Sequence, residues 1–220
     1  MQFSITLIIV VITCIVSISG FSNTKIVDDL IFYPPAVSRR NQWYRFFTCG
    51  LIHADWGHLI FNMLSLYLFG IGVEHAFSSP QLFAEKGKVF YLLMYVLALM
   101  VSLLPTYSRH KNDYYYRSLG ASGAVSAVIF AGLLIAPGTE VYFFFIPIPI
   151  PGFIFAPLYL IISIMMEKKG GDNVNHSAHI WGAVFGLVFV IVIGKFVADY
   201  NAITRCIEGI QYYIQTEWGG

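Results

Sequence analysis

Four polar residues, set among long apolar runs, have the types and spacing to do chemistry together. Ser122 stands in Leu119-Gly120-Ala121-Ser122-Gly123 and opens an apolar run that ends at Ala136. His179 precedes Gly182 by about one helical turn and Gly186 by about two, so the three share a helix face. His58 and Asn62 are four residues apart and share another. A serine hydroxyl is a poor nucleophile until a base lies within hydrogen-bond reach, and His179 is the candidate base. Two neutral donors such as His58 and Asn62, aimed at one point, can stabilise the oxyanion that forms when a serine attacks a carbonyl. Each residue also has a purely structural role open to it. Ser122 could cap a helix, Gly182 and Gly186 could form a small-residue packing face, and His58 with Asn62 could bond neighbouring helices.

Other chemistries find less support. His53 falls in a loop and is read as structural. His176 could pair with His179 around a metal, but no further ligand has suitable spacing, so no metal site and no cofactor are expected. There is no His-Glu-x-x-His and no pair of aspartates within the apolar segments, which leaves zinc and aspartyl peptidase chemistry without residues. Cys14, Cys49 and Cys206 are scattered and are read as packing residues. A net charge of +1 over 220 residues offers no basic footprint for nucleic acid.

With 57% hydrophobic and only 11% charged residues, the elements that position this set must lie in a membrane. Apolar runs and their breaks predict six helices over 3–20, 58–75, 89–104, 122–136, 153–167 and 177–197, in a single membrane domain over 1–220. The first run could resemble a signal peptide, but no Lys or Arg precedes it and its length favours a retained helix. Between the first two helices, Pro34-Pro35, Arg39, Arg40, Arg45 and a cluster of aromatics predict a structured loop at headgroup level. Pro105 is expected to stop the third helix, and a polar loop follows to Arg117. The alternating Ile-Pro run 146–151 predicts an extended connection. Little is expected of the tail after Asp199.

The fourth helix carries the strongest argument. About 15 residues rise only about 22 Å against a hydrocarbon core of about 30 Å. One of its ends must lie inside the bilayer, where irregular backbone is tolerated only beside protein or a wet cavity. A serine at that end meets water below the membrane surface, next to the positive end of a helix.

His58-Leu59-Ile60-Phe61-Asn62, Gly120-Ala121-Ser122-Gly123 and Ala178-His179-Ile180-Trp181-Gly182 with Gly186, in this order, resemble the motifs of the rhomboid family of intramembrane serine proteases. The resemblance runs from the interfacial loop through the sixth helix. It implies an all-α, six-transmembrane-helix bundle with a structured interfacial loop between helices 1 and 2. It further implies Ser122 as nucleophile, His179 as general base and acid, and His58 with Asn62 beside the Ser122 backbone N–H as oxyanion donors. Gly120, Gly123, Gly182, Gly186 and Arg45 would support them. The implied substrates are transmembrane segments of other membrane proteins, cut in the bilayer. Two positions depart from the pattern. Trp43-Tyr44-Arg45 puts a tyrosine beside the arginine where relatives carry tryptophan, and Ser126 stands where many relatives place an aromatic against the catalytic histidine.

The implied location is a bacterial inner membrane, with the site open to the extracytoplasmic side. The distribution of Lys and Arg opposes this, since Lys25, Arg39, Arg40, Arg45, Arg109, Lys111, Arg117, Lys168 and Lys169 all fall on that side. Two other functions fit a membrane bundle with these residues. One is a non-catalytic relative that binds transmembrane clients; the other is a small transporter lined by His and Asn.

Overall fold

A computed structural model describes residues 3–143, 146–171 and 174–219. The fold is an all-α bundle. Its first helix, α1 (Ile5–Ser22), leads into three short helices, α2 (Thr24–Leu30), α3 (Pro34–Arg40) and α4 (Arg45–Thr48). Next come α5 (Trp56–Phe77), α6 (Gly87–Val101), α7 (Leu104–His110) and α8 (Ser122–Ile135). A two-stranded antiparallel hairpin, β1 (Glu140–Phe143) and β2 (Ile146–Pro151), precedes α9 (Gly152–Lys169), α10 (His176–Ala198) and α11 (Ala202–Tyr213). By length and composition, Ile5–Ser22, Trp56–Phe77, Ala84–His110 and His176–Ala198 can cross a membrane, whereas Ser122–Ile135 is apolar but short.

Pro105 does not take the place the sequence predicts for it. This proline does not stop the third helix; that helix ends at Val101, and Pro105 occupies the first turn of α7, inside the region expected to be loop. Proline is tolerated there because first-turn N–H groups have no helical partner. Pro34 and Pro35 start α3 in the same way. The loop before α5 is held by Arg45, only 8% exposed. Its guanidinium donates to the Gln42 side chain (2.6 Å) and to the carbonyls of Asp28 (2.9 Å) and Ile31 (2.8 Å). Tyr44, the residue in the tryptophan's place, has its ring centroid 5.5 Å from that guanidinium.

The bundle core is formed by α5, α6, α8 and α10 around Leu66, Phe77, Tyr91, Met94, Val128 and Val190. Since lipid is as apolar as these side chains, polar contacts and close backbone approach must specify how the helices associate. Glu74 supplies one such contact. Buried near the end of α5, it accepts from the hydroxyls of Ser4 (2.7 Å) and Thr6 (2.9 Å) and from the amides of Ile5 and Thr6. A carboxylate at the open amides of α1 satisfies donors that lipid cannot.

Candidate active site

Ser122 is the first residue of α8, and Ala121 is its N-cap, so the serine hydroxyl is not spent on capping. The turn before it is fixed by backbone bonds from three directions. Ser118 pairs with Phe32 in an isolated antiparallel bridge, Gly120 donates to the Cys49 carbonyl (2.9 Å), and the Ala121 N–H points at His53 Nε2 (3.4 Å). Gly120 has a φ of +112°, a conformation open to glycine at no steric cost. A Cβ on Gly120 would also lie 2.7 Å from His58 Cε1 and 2.8 Å from His58 Nε2. The His58 imidazole therefore rests directly on the turn that delivers Ser122.

The tautomer of His58 follows from its other nitrogen. Nδ1 faces the Ala54 N–H at 3.4 Å and accepts from it, which leaves the proton on Nε2, the nitrogen nearer Gly120. His58 thus presents a donor toward the serine turn. Asn62, 3% exposed, lies one turn further along α5. One of its two amide hydrogens goes to the His58 carbonyl (3.0 Å), and the second remains as a donor.

His179 lies in the first turns of α10, and the packing of α10 on α8 sets its level. A methyl group on Gly182 would collide with the Gly123 carbonyl, and one on Gly186 with the Ala127 carbonyl. The two helices therefore run parallel in backbone contact, and a Cβ on Gly123 would lie 3.2 Å from the Ala178 carbonyl. In this register the first turn of α10, with His179, stands level with the Gly120–Ser122 turn. Ser102, just past the end of α6, closes the third side, since its hydroxyl fills the space a Gly123 side chain would need. The small-residue face read from the sequence as packing is thus also what brings His179 to the serine's end of α8.

One residue that supports the site was not singled out from the sequence. Asn175 caps α10 by accepting the Ala178 N–H (3.0 Å), takes the Thr106 hydroxyl (3.2 Å), and donates to Ser118 Oγ (3.4 Å). It ties the start of the His179 helix to α7 and to Ser118, in the turn before Ser122. An asparagine just ahead of a helical run was a readable cap signal. His53, read as structural, is more closely tied to the serine turn than its loop position suggested. The Ser17 hydroxyl of α1 donates to the Leu51 carbonyl (2.8 Å), so in its 2.9 Å bond with His53 Nδ1 the histidine must be the donor. His53 Nε2 is then free to accept from Ala121, and one neutral ring links α1 to the residue before Ser122.

Burial, and then the neighbouring His58, push the His53 pKa from 6.5 down to about 3. The unfolded chain takes up this proton near 6.5 and the folded chain only near 3, so protons favour unfolding between those values. Stability is expected to be full above pH 6.5 and to fall as pH drops toward 3. His53→Gln, which keeps a donor and an acceptor without a titrating group, should flatten that slope in denaturant unfolding of the micellar protein. An unchanged slope would assign it to other groups.

Position 126 departs from the resemblance and finds a partner across the bundle. The Ser126 hydroxyl lies 3.2 Å from that of Tyr159, which comes from α9. The Tyr159 ring packs on Phe130 of α8, with centroids 5.5 Å apart. Among the described residues, no three His, Cys, Asp or Glu side chains group as a metal site would require. His176 and His179 have ring centroids 5.9 Å apart.

A family model described as Rhomboid domain matches residues 40–196, which include His58, Asn62, Ser122 and His179. The chain is similar to the RHOMBOID-like protein 12, mitochondrial, of Arabidopsis thaliana, with 29% identity over 64% of this chain and 44% of that protein. It is 31% identical to the Rhomboid-like protein 11, chloroplastic, of the same plant, over 70% of this chain and 54% of the relative. The Rhomboid protease AarA of Providencia stuartii is 25% identical over 70% of this chain and 57% of its own length. The chain spans about half the length of these curated relatives.

Proposed function

Because the chain belongs to the rhomboid family, we propose that this integral, multi-pass membrane protein is a serine endopeptidase that cuts transmembrane segments of other membrane proteins. The observation that carries the reading is the interlock of Gly182 on Gly123 and Gly186 on Ala127, which holds His179 level with Ser122. In the proposed reaction His179 takes the Ser122 proton as Oγ attacks the scissile carbonyl. The oxyanion is held by the Ser122 N–H, His58 Nε2–H and the second Asn62 amide hydrogen. His179 then gives its proton to the leaving amine, and a water activated by the same ring hydrolyses the acyl-enzyme. The geometry around His58 favours this over a bare client-binding or transport role, because its Nε2 lies against the turn that carries Ser122. His58→Ala or Asn62→Ala should each lower kcat on a model transmembrane substrate about 10²-fold, the usual cost of one oxyanion donor. Unchanged kcat in both would remove them from the mechanism.

A transmembrane helix hides its carbonyls in its own hydrogen bonds, so small or helix-breaking residues near the cut should be favoured. We take α9 as the lateral entry. It has Pro157 in its interior and a lipid-facing side that includes Ile161 and Met165. The Tyr159–Ser126 bond resists its displacement. Tyr159→Phe should raise cleavage of a transmembrane substrate roughly 3- to 10-fold and leave labelling by a small fluorophosphonate unchanged. A fall in both would place the tyrosine in the chemistry instead. We place the site on the extracytoplasmic side of a bacterial inner membrane, an orientation in which the C-terminus is cytoplasmic. A C-terminal tag cleaved by protease added outside intact cells would reverse that orientation.

A further inference from the structure

The chain after α10 has no part in the site, yet it forms a helix with three distinct sides. At about 100° per residue, one side of α11 carries Ala202, Gly209 and Tyr213 and is docked on the bundle. Ala202 is buried, a Cβ on Gly209 would lie 3.0 Å from Pro137 Cγ, and a Cβ on Gly138 would lie 2.7 Å from the Tyr213 ring. The next side carries Ile203, Ile207 and Ile210, with Ile214 in line just past the last turn, and Ile203 and Ile207 are about half exposed at 52% and 50%. The third carries Thr204, Arg205 and Glu208, with Arg205 and Glu208 3.8 Å apart. Docked, apolar and polar sides follow one another around the axis. A helix lying beside a bundle on a bilayer surface needs this order, with protein on one side, lipid below and water above.

We propose that α11 is an interfacial anchor, with its isoleucine stripe seated at the acyl–headgroup boundary of the leaflet opposite the Ser122 end. Position along the chain supports lipid as the occupant. Only Asp199, Tyr200 and Asn201 separate α11 from the membrane-crossing α10, so its start cannot leave the surface by more than about 10 Å. Asn201 caps it there by accepting the Thr204 N–H (3.2 Å). Trp218, just beyond, stacks edge-on with Phe153 at the start of α9 and still exposes 56% of its surface, which suits an indole at the headgroup level. The anchor bears on the site because α11 grips the Pro137–Gly138 end of α8. With that end at the boundary, α8 rises about 21 Å through a core of about 30 Å, and its first residue, Ser122, stops about 10 Å short of the far boundary.

The anchoring itself makes no use of the peptidase reading and is tested without catalysis. Single cysteines at Ile203, Thr204, Ile207, Glu208 and Ile214, in a Cys14→Ser, Cys49→Ala, Cys206→Ser background, are spin-labelled in phosphatidylethanolamine–phosphatidylglycerol proteoliposomes. Collision with oxygen should exceed collision with a nickel chelate at 203, 207 and 214, with the order reversed at 204 and 208. In the unaltered chain, a phospholipid carrying an acyl-chain diazirine should label the peptide 203–214, which keeps the test valid if a labelled variant fails to fold. Nickel access at all five positions, or no diazirine labelling, would mean a helix in water and overturn the proposal. Isoleucine positions closed to both reagents would mean that protein, such as a second copy, covers the stripe, and would overturn it equally.

Discussion

Ser122→Ala and His179→Ala should each reduce cleavage of a model transmembrane substrate to background, a loss of more than about 10⁴-fold. Both losses are large because the two groups act as one unit. Without the base the hydroxyl keeps its proton, and without the hydroxyl the base has nothing to activate. The double variant should therefore be no worse than either single one, whereas independent contributions would multiply. Folding should be little affected, since Ser122 makes no capping bond and alanine is a good helix former. Near-normal cleavage by Ser122→Ala would require another nucleophile.

Gly182→Ala is expected to lower kcat about 10²-fold, although it touches no reacting atom. Its methyl would enter the space of the Gly123 carbonyl, which is backbone and cannot swing aside. The helices must separate or slide, and overpacking of this kind costs about 1–3 kcal/mol in stability. The larger effect falls on geometry, because His179 and Ser122 sit on the two displaced helices. A misplacement of about 1 Å between reacting groups can cost about 10²-fold in kcat. Gly186→Ala meets the Ala127 carbonyl a turn further from the site. It should lower the melting temperature as much but kcat less. Gly72, on α5 with no atom near its missing Cβ, is the control, and Gly72→Ala should leave kcat unchanged and the melting temperature level or slightly raised. Equal kcat losses at 182 and 186 would mean that the glycines act through stability alone.

How much of this was legible depended on whether the determining contact lay within one helix. The His58–Asn62 and His179–Gly182–Gly186 spacings are helix geometry and could be read from the chain. The shortness of α8 followed from the run between Ser122 and Pro137. Contacts across the bundle left no local trace. Nothing near His53 announces Ser17 on one side and Ala121 on the other, and nothing near Ser126 points to Tyr159. Pro105 was ambiguous in principle, because a proline that ends one helix can equally start the next. The segment 21–57 was read as an interfacial loop. Its composition did not reveal that α2, α3 and α4 would form there, since helices of four to seven residues are held by tertiary contacts such as those of Arg45 and not by propensity.

The most direct test treats the purified protein with a fluorophosphonate probe and locates the adduct by mass spectrometry. A hydroxyl activated by His179 predicts one modified residue, Ser122, with labelling that disappears in His179→Ala and survives chelation of divalent metals. Labelling at another serine, or undiminished labelling of Ser122 in His179→Ala, would contradict the dyad.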